Sequence, residues 1–249
     1  MEWILVFLLG AAVGSFMNVV ILRLPKDESV SFPASHCMSC NAPLRFYHNI
    51  PILSWLFLRG KCGFCGAKIS LQYPLVELLG GLIFLLSAMK LGISLPAAGI
   101  ALAFVLLLAL SVIDYRYKMV PDSLNLAALT LAVISATSFA HLTYNFQNAL
   151  LFAGGFTLLR FYLSYAIKKE AMGEADIMIA ATMGAILGIQ LALAAIFIGA
   201  LLALPALLLT RTEDEDSQQL PFIPFLATGA WIALMFDGYI TTYLAGLYG

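Results

Sequence analysis

Charge is what this sequence has least of: 11% of its 249 residues are Asp, Glu, Lys or Arg, while 62% are hydrophobic. A soluble domain carries about a quarter charged residues and about half apolar ones. A chain so poor in charge cannot clothe itself in a hydrated surface, so water is not its main solvent. Nor is there an excess of one sign, since 13 Lys and Arg face 14 Asp and Glu for a net charge of -1. That balance excludes a basic footprint for nucleic acid and a long-range field for steering acidic ligands. Histidine is also rare. His36, His48 and His141 lie in loops or at a helix end, and none has the i, i+4 partner of a helical metal site. His36, beside Cys37, is at most a spare ligand. Sequence repeats and low-complexity tracts are absent. The opening Met1-Glu2-Trp3 lacks a basic n-region, and Ile4 to Leu22 has no small-residue cleavage site, so this stretch is expected to persist as a first membrane helix.

What the chain does have is length of apolar sequence. Crossing ~30 Å of hydrocarbon takes about 17–25 helical residues. Eight stretches approach that: Trp3 to Leu22, Tyr73 to Met89, Ile93 to Ile113, Leu124 to His141, Ala149 to Ile167, Asp176 to Ile189, Leu191 to Leu209 and Pro221 to Tyr243. The boundary near Gln190 is the least marked. The expected fold is therefore an all-α polytopic membrane protein of about eight transmembrane helices. Basic residues are retained on the cytoplasmic side, and placing the N-terminus outside resolves their pattern. Arg23, Lys26, Arg45, Arg59, Lys61, Lys68, Arg116, Lys118, Lys168, Lys169 and Arg211 then face the cytoplasm, leaving Lys90 outside and Arg160 within a span. In this reading residues 1–24 form the first helix, 25–72 a cytoplasmic module, and 73–249 a membrane-embedded domain of about seven helices, with an acidic connection from Arg211 to Gln219.

All four cysteines fall in the 25–72 segment as two pairs, Cys37-Met-Ser-Cys40 and Cys62-Gly-Phe-Cys65, with 21 residues between the pairs. This is close to zinc-ribbon spacing. A two-residue gap lets both thiolates of a knuckle reach one tetrahedral ion at ~2.3 Å, and Gly63 and Gly66 offer the backbone freedom the second knuckle needs. Four sulfurs leave no open position for water, so the metal is expected to be structural, folding a module with little core of its own. The competing reading is two disulfides or loose thiols, which a reducing cytoplasm disfavours.

Acids inside spans are costly and call for a reason. Glu77, Asp114, Asp176 and Asp237 qualify. Asp114 closes the third apolar run just before Tyr115-Arg116-Tyr117-Lys118, and Asp176 opens the sixth just after Lys168, Lys169 and Glu170, so the topology sets both at the cytoplasmic rim. Two such carboxyls can share a proton and activate water, as in aspartic proteases. Taken singly, each is equally readable as a helix-end residue, Asp176 favouring the dipole and Asp114 pairing with Arg116 or Lys118. Asp122, after Pro121, reads as a helix start. Glu77 and Asp237 leave recognition and interhelical hydrogen bonding open.

These residues together resemble the type IV prepilin peptidase family. The resemblance rests on Gly14-Ser15-Phe16-Met17-Asn18-Val19-Val20 with Arg23 and Pro25, the two cysteine pairs, His48-Asn49-Ile50-Pro51 with Ser54-Trp55, Ile69-Ser70, and Tyr73-Pro74-Leu75-Val76-Glu77. Asp114 with Pro121-Asp122 looks like the family's first catalytic block, and Pro221-Phe222-Ile223-Pro224-Phe225-Leu226-Ala227 like its last-span motif. The second block departs from the pattern: the family's Gly-x-Gly-Asp reads here Gly173-Glu174-Ala175-Asp176, and Met178 stands where a lysine is common. Glycine in place of Ala175 would permit φ > 0 or a close approach, both of which a methyl group disfavours.

The resemblance implies a membrane-embedded aspartic endopeptidase of the bacterial inner membrane, with Asp114 and Asp176 catalytic and zinc held by Cys37, Cys40, Cys62 and Cys65. Its partners would be the lipid bilayer and prepilins or pilin-like type II secretion precursors, cut on the cytoplasmic side after a glycine. The new amine would then be methylated from S-adenosylmethionine, although no glycine-rich strand–turn–helix motif marks a donor site between Pro25 and Gln72. The alternatives are a catalytically impaired relative serving as a membrane assembly protein, for which Ala175 is the best argument; an intramembrane aspartyl protease acting on other helices, without a cysteine module; and a proton- or ion-coupled transporter. Two acids at one rim rather than at the midplane weigh against the transporter.

Overall fold

The computed structural model describes residues 1–170, 172–209 and 221–248, and the connection expected from Arg211 to Gln219 lies outside the described residues. Among the described residues it is helical throughout, with no strands beyond two isolated bridges, His36 to Pro43 and Lys61 to Lys68. The helices are α1 (Glu2–Arg23), α2 (Leu53–Phe57), α3 (Gln72–Leu91), α4 (Leu95–Tyr117), α5 (Asp122–Ile134), α6 (Phe139–Ile167), α7 (Glu174–Leu209), α8 (Ile223–Met235) and α9 (Asp237–Tyr248).

Against the eight spans that hydropathy predicts, five described helices are long and apolar enough to cross a bilayer, or six if α8 and α9, bent by 83° at Phe236, form one span. The difference lies in two places. The fourth stretch was expected to run to His141, but α5 stops at Ile134 after 13 residues, about 20 Å at 1.5 Å per residue and short of the hydrocarbon thickness. Ser138 then caps a new helix, its hydroxyl accepting the His141 N–H at 3.2 Å, so α6 starts at Phe139 rather than at Ala149. The sixth and seventh stretches meet in α7, whose helical path is broken at Gly188 (φ 71°, ψ -178°). A side chain at Gly188 would both strain that backbone and meet the Tyr144 hydroxyl at 2.7 Å.

The chain divides into two compact units, Met1–Ser94 and Leu95–Gly249, so α3 belongs with α1 and the cysteine module. In the first unit α1 and α3 pack through small residues. A Cβ on Gly14 would stand 2.7 Å from the Val76 carbonyl oxygen, and this proximity is what brings the two backbones together where lipid supplies no hydrophobic drive. Asn18, 1% exposed, fixes their register by donating to the Tyr73 carbonyl at 3.1 Å and accepting from Gln72 Nε2 at 3.3 Å.

In the second unit α5 and α8 each pack against both α4 and α7, and α6 packs on α7. Ala132, Ala149, Ala181 and Ala185 form a small-residue core where α5, α6 and α7 meet. Two helices thus bridge the two that carry Asp114 and Asp176.

Candidate active site and metal centre

Asp114 lies in the last turns of α4 and is 8% exposed. Its Oδ2 accepts the backbone N–H of Ile223 at 3.2 Å, and the Phe222 N–H is also directed at it. These amides open α8, where Pro224 sits in the first turn and fixes helical φ. A carboxylate at this point meets unpaired N–H groups and the positive end of the helix dipole. The Pro221–Ala227 motif therefore acts as a cradle for Asp114, a role carried by backbone donors. Lys118, just past the end of α4, adds a cationic field.

Asp176 is half-buried in the first turn of α7, and its Oδ2 accepts the Gly173 N–H at 3.3 Å. The preceding residue, Ala175, is helical and absent from the residues with positive φ. Its carbonyl accepts from Asn125 Nδ2 on α5 at 3.1 Å. The positive φ that a glycine would allow is thus not used at this position. Asn125 is fully buried and ties α5 to the start of α7, another contact that no sequence motif announced. On the other side, Arg160 of α6 reaches Glu174 at 3.0 Å and Glu170 at 3.7 Å, which gives the basic residue expected inside a span two acidic partners.

Asp114 and Asp176 come near enough for the charge of one to act on the other. Of the remaining acids, Asp122 opens α5 as expected of a helix-start residue. Asp237 opens α9 and accepts the Gly238 N–H at 2.6 Å. Glu77, 7% exposed, is engaged within the first unit: its Oε2 accepts the Ile52 N–H at 2.7 Å, and the Ser15 side chain also bonds to it.

The four cysteine sulfurs all lie within 4.8 Å of one another. Cys37 and Cys65 Sγ are 3.9 Å apart, close to the ~3.8 Å edge of a tetrahedron with ~2.3 Å metal–sulfur bonds and far from the ~2.05 Å of a disulfide. The two knuckles repeat one backbone pattern. Ser39 N–H points at Cys37 Sγ and Phe64 N–H at Cys62 Sγ, each at 3.4 Å. The Cys37 and Cys62 carbonyls accept from Asn41 and Gly66 at 2.9 Å. Asn41 (φ 55°) and Gly66 (φ 71°) take the left-handed turn position; Gly63 does not, contrary to the expectation that both glycines serve that purpose.

The amides of Ser39 and Cys40 hold the Cys37 thiol down at about 6. At Cys65 the Ala67 N–H pulls the same way, but the neighbouring sulfurs of Cys40, Cys62 and Cys37 push it up to about 11. The first thiolate forms easily and a crowded later one resists, which is what a divalent cation would relieve. A thiophilic, tetrahedral ion fits the donor set, and Cys37, Cys40, Cys62 and Cys65 would hold it with no open position. His36 is outside the set and lies against the Ala34 carbonyl. His48 instead packs edge-on against Tyr47 and Phe64, bracing the second knuckle.

Comparison with known proteins divides the chain in two. Residues 8–91 match the bacterial peptidase A24 N-terminal domain, and residues 101–208 match the type IV leader peptidase family. Prepilin leader peptidase/N-methyltransferases are similar along most of the chain. That of Stutzerimonas stutzeri is 36% identical, covering 94% of this chain and 90% of its own length. That of Dickeya chrysanthemi is 35% identical over 93% and 90%, and that of Neisseria gonorrhoeae 34% identical over 90% and 87%. No solved structure is a significant match.

Proposed function

Because the chain belongs to the type IV leader peptidase family, we propose that it is a multi-pass inner-membrane aspartic endopeptidase that removes the leader from prepilins or pilin-like secretion precursors, with Asp114 and Asp176 as the catalytic pair. The observation that carries this reading is their arrangement. Two carboxylates from different helices lie within electrostatic reach of one another, each held by a backbone N–H donor.

In the proposed mechanism the pair shares one proton, and which member carries it at rest is a property of the pair. The ionised carboxylate takes a proton from water as the oxygen attacks the scissile carbonyl, and the protonated carboxyl donates to the forming oxyanion. Collapse of the tetrahedral intermediate passes a proton to the leaving amine. The amides of Phe222, Ile223 and Gly173 keep the carboxyl oxygens in place throughout. The active rim and the cysteine module face the cytoplasm, and the N-terminus the periplasm, following the basic residues.

Zinc is the proposed ion of the four-cysteine module, where it would supply only cross-linking. The relatives are prepilin leader peptidase/N-methyltransferases, which extends the proposal to N-methylation of the new amine from S-adenosylmethionine. Among the described residues no strand–turn–helix exists to cradle such a donor, so that half of the proposal assigns no residue.

The test is cleavage of a purified prepilin in lipid by the intact chain, by Asp114→Asn and by Asp176→Asn, with folding checked by thermal melting. Cleavage by the intact chain and its loss in each variant is the expected result. Cleavage that survives both substitutions sinks the mechanism, and no cleavage by the well-folded intact chain returns the assembly-protein or transporter readings.

A further inference from the structure

Helix α2 has a surface that nothing described covers. Of its residues, Leu53, Leu56 and Phe57 are exposed, the i, i+3, i+4 positions that share one face of a helix. Phe57 is 83% exposed and Phe46, in the same module, 84%. Apolar side chains grouped in this way mark an interaction site rather than the scatter of a normal surface.

The position of α2 in the fold says what covers that face. The Ile52 N–H donates to Glu77 Oε2 at 2.7 Å, and Glu77 lies five residues into α3, which begins at Gln72 and is apolar enough to span the bilayer. At 1.5 Å per residue, Glu77 sits about 7.5 Å along the helix axis from that end. The residue that starts α2 is therefore held at the depth where headgroups meet acyl chains.

The backbone there is not a chance approach. Ile52 has φ 63° and ψ -53°, and the Leu53 N–H closes on the Pro51 carbonyl at 2.6 Å. This is a γ-turn of the rare, strained hand on a β-branched residue, a conformation that persists only where its surroundings impose it. Glu77 is the side chain hydrogen-bonded to that residue's amide. The module that carries this face is cationic: Arg45, Arg59, Lys61 and Lys68 are all exposed, and no Asp or Glu occurs between Glu28 and Glu77.

We propose that the Leu53–Leu56–Phe57 face of α2, with Phe46, is an interfacial anchor that lies in the bilayer at the Gln72 end of α3, its partner being the anionic headgroup and upper acyl region of the lipid. Short apolar faces ringed by Lys and Arg bind in this way, entering about 5–10 Å into the boundary. The cysteine module is then pinned at two levels, by Glu77 from inside the membrane and by lipid from its surface. The proposal rests only on the membrane reading of α3 and is independent of the peptidase assignment.

The test uses the full chain in bilayers of mixed anionic and zwitterionic phospholipid. Phe57→Trp is made in a Trp3→Phe, Trp231→Phe background that keeps Trp55 as baseline, with Leu56→Trp as a second reporter. The emission added at either position is expected to be blue-shifted. It should be quenched at least twofold more by lipid brominated at carbons 6 and 7 than by aqueous iodide. Quenching by iodide without a bromolipid effect would put the face in water and overturn the proposal. Protection from both quenchers would show a protein partner on the face, and would overturn it equally.

Discussion

The two compact units use the same device on a buried acid and put it to different ends. In the first, Glu77 accepts one backbone N–H, from Ile52 at 2.7 Å; in the second, Asp114 accepts one from Ile223 at 3.2 Å. The difference is in what else is near. Glu77 is closed off by Ser15 and by the loop it holds, so its hydrogen bonds are spent on shape. Asp114 comes within electrostatic reach of another acid, Asp176, on a separate helix, and in the proposed mechanism that pair shares a proton. A lone buried acid with its own donor is an anchor, whereas a pair within reach of one another is a candidate for chemistry.

The sharpest way to break this comparison is to remove one charge from each unit. Asp114→Asn or Asp176→Asn is expected to lower the cleavage rate by about 10²–10⁴-fold, the scale of lost general acid–base catalysis. Glu77→Gln should leave cleavage within about tenfold and instead loosen the module. An equal loss of cleavage from all three would erase the distinction.

A second break targets the metal. Stripping the ion with a chelator, or Cys62→Ser, should make residues 25–72 the first site of proteolysis while the helices of the second unit stay protected, since a module with so little core depends on its cross-link. Thiolates are the ligands, so protons compete with the metal. Retention of zinc, measured by atomic absorption, is expected to weaken as pH falls through about 6, where Cys37 titrates in the metal-free set. A module that resists protease equally with and without metal would refute the structural role.

Smaller again is the effect of Glu77→Gln on exchange. Gln keeps an amide oxygen that can accept, so the substitution weakens the bond by at most about 1 kcal/mol, and the Ile52 amide should exchange up to roughly fivefold faster in the variant. Unchanged exchange would mean that the strained turn is held by something other than Glu77.

How much of this could be read from the sequence depends on where the information sits. Acids inside apolar runs stand out because their type is out of place, so Asp114, Asp176 and Glu77 were all legible. The partners that define them were not. Ile223 acts through its backbone 109 residues away from Asp114, and a backbone donor leaves no trace in residue type. Asn125 is polar but reads as one of several residues near a helix start, and only the packing of α5 on α7 aims it at Ala175. The cysteine set was legible from spacing alone, yet the left-handed position in the first knuckle fell to Asn41, a residue that tolerates αL without advertising it. Hydropathy blurred the break at Ser135–Ser138, where four small residues sit between apolar neighbours. The signal there was Ser138 as a cap for His141. In α7 hydropathy set the boundary near Gln190, two residues past the break at Gly188, because nothing local tells a left-handed glycine from a packing one.

The last and smallest effect concerns Ala175, the residue whose departure from Gly-x-Gly-Asp most invites the idea of a disabled enzyme. In the structure its backbone is helical, and the group it contributes is a carbonyl, accepting from Asn125 at 3.1 Å. A glycine would contribute the same carbonyl and gain no needed freedom. Its cost, at most about 1 kcal/mol in a helix interior, shrinks in the first turn, where few hydrogen bonds are yet closed. Ala175→Gly is therefore expected to change the cleavage rate by less than about threefold in either direction, whereas Asn125→Ala, which removes the side chain that ties α5 to that carbonyl, should slow it more. A large gain from Ala175→Gly would mean that the start of α7 must leave its helical form during turnover. The comparison between the first unit's lone acid and the second unit's proposed catalytic pair would then extend to motion as well as charge.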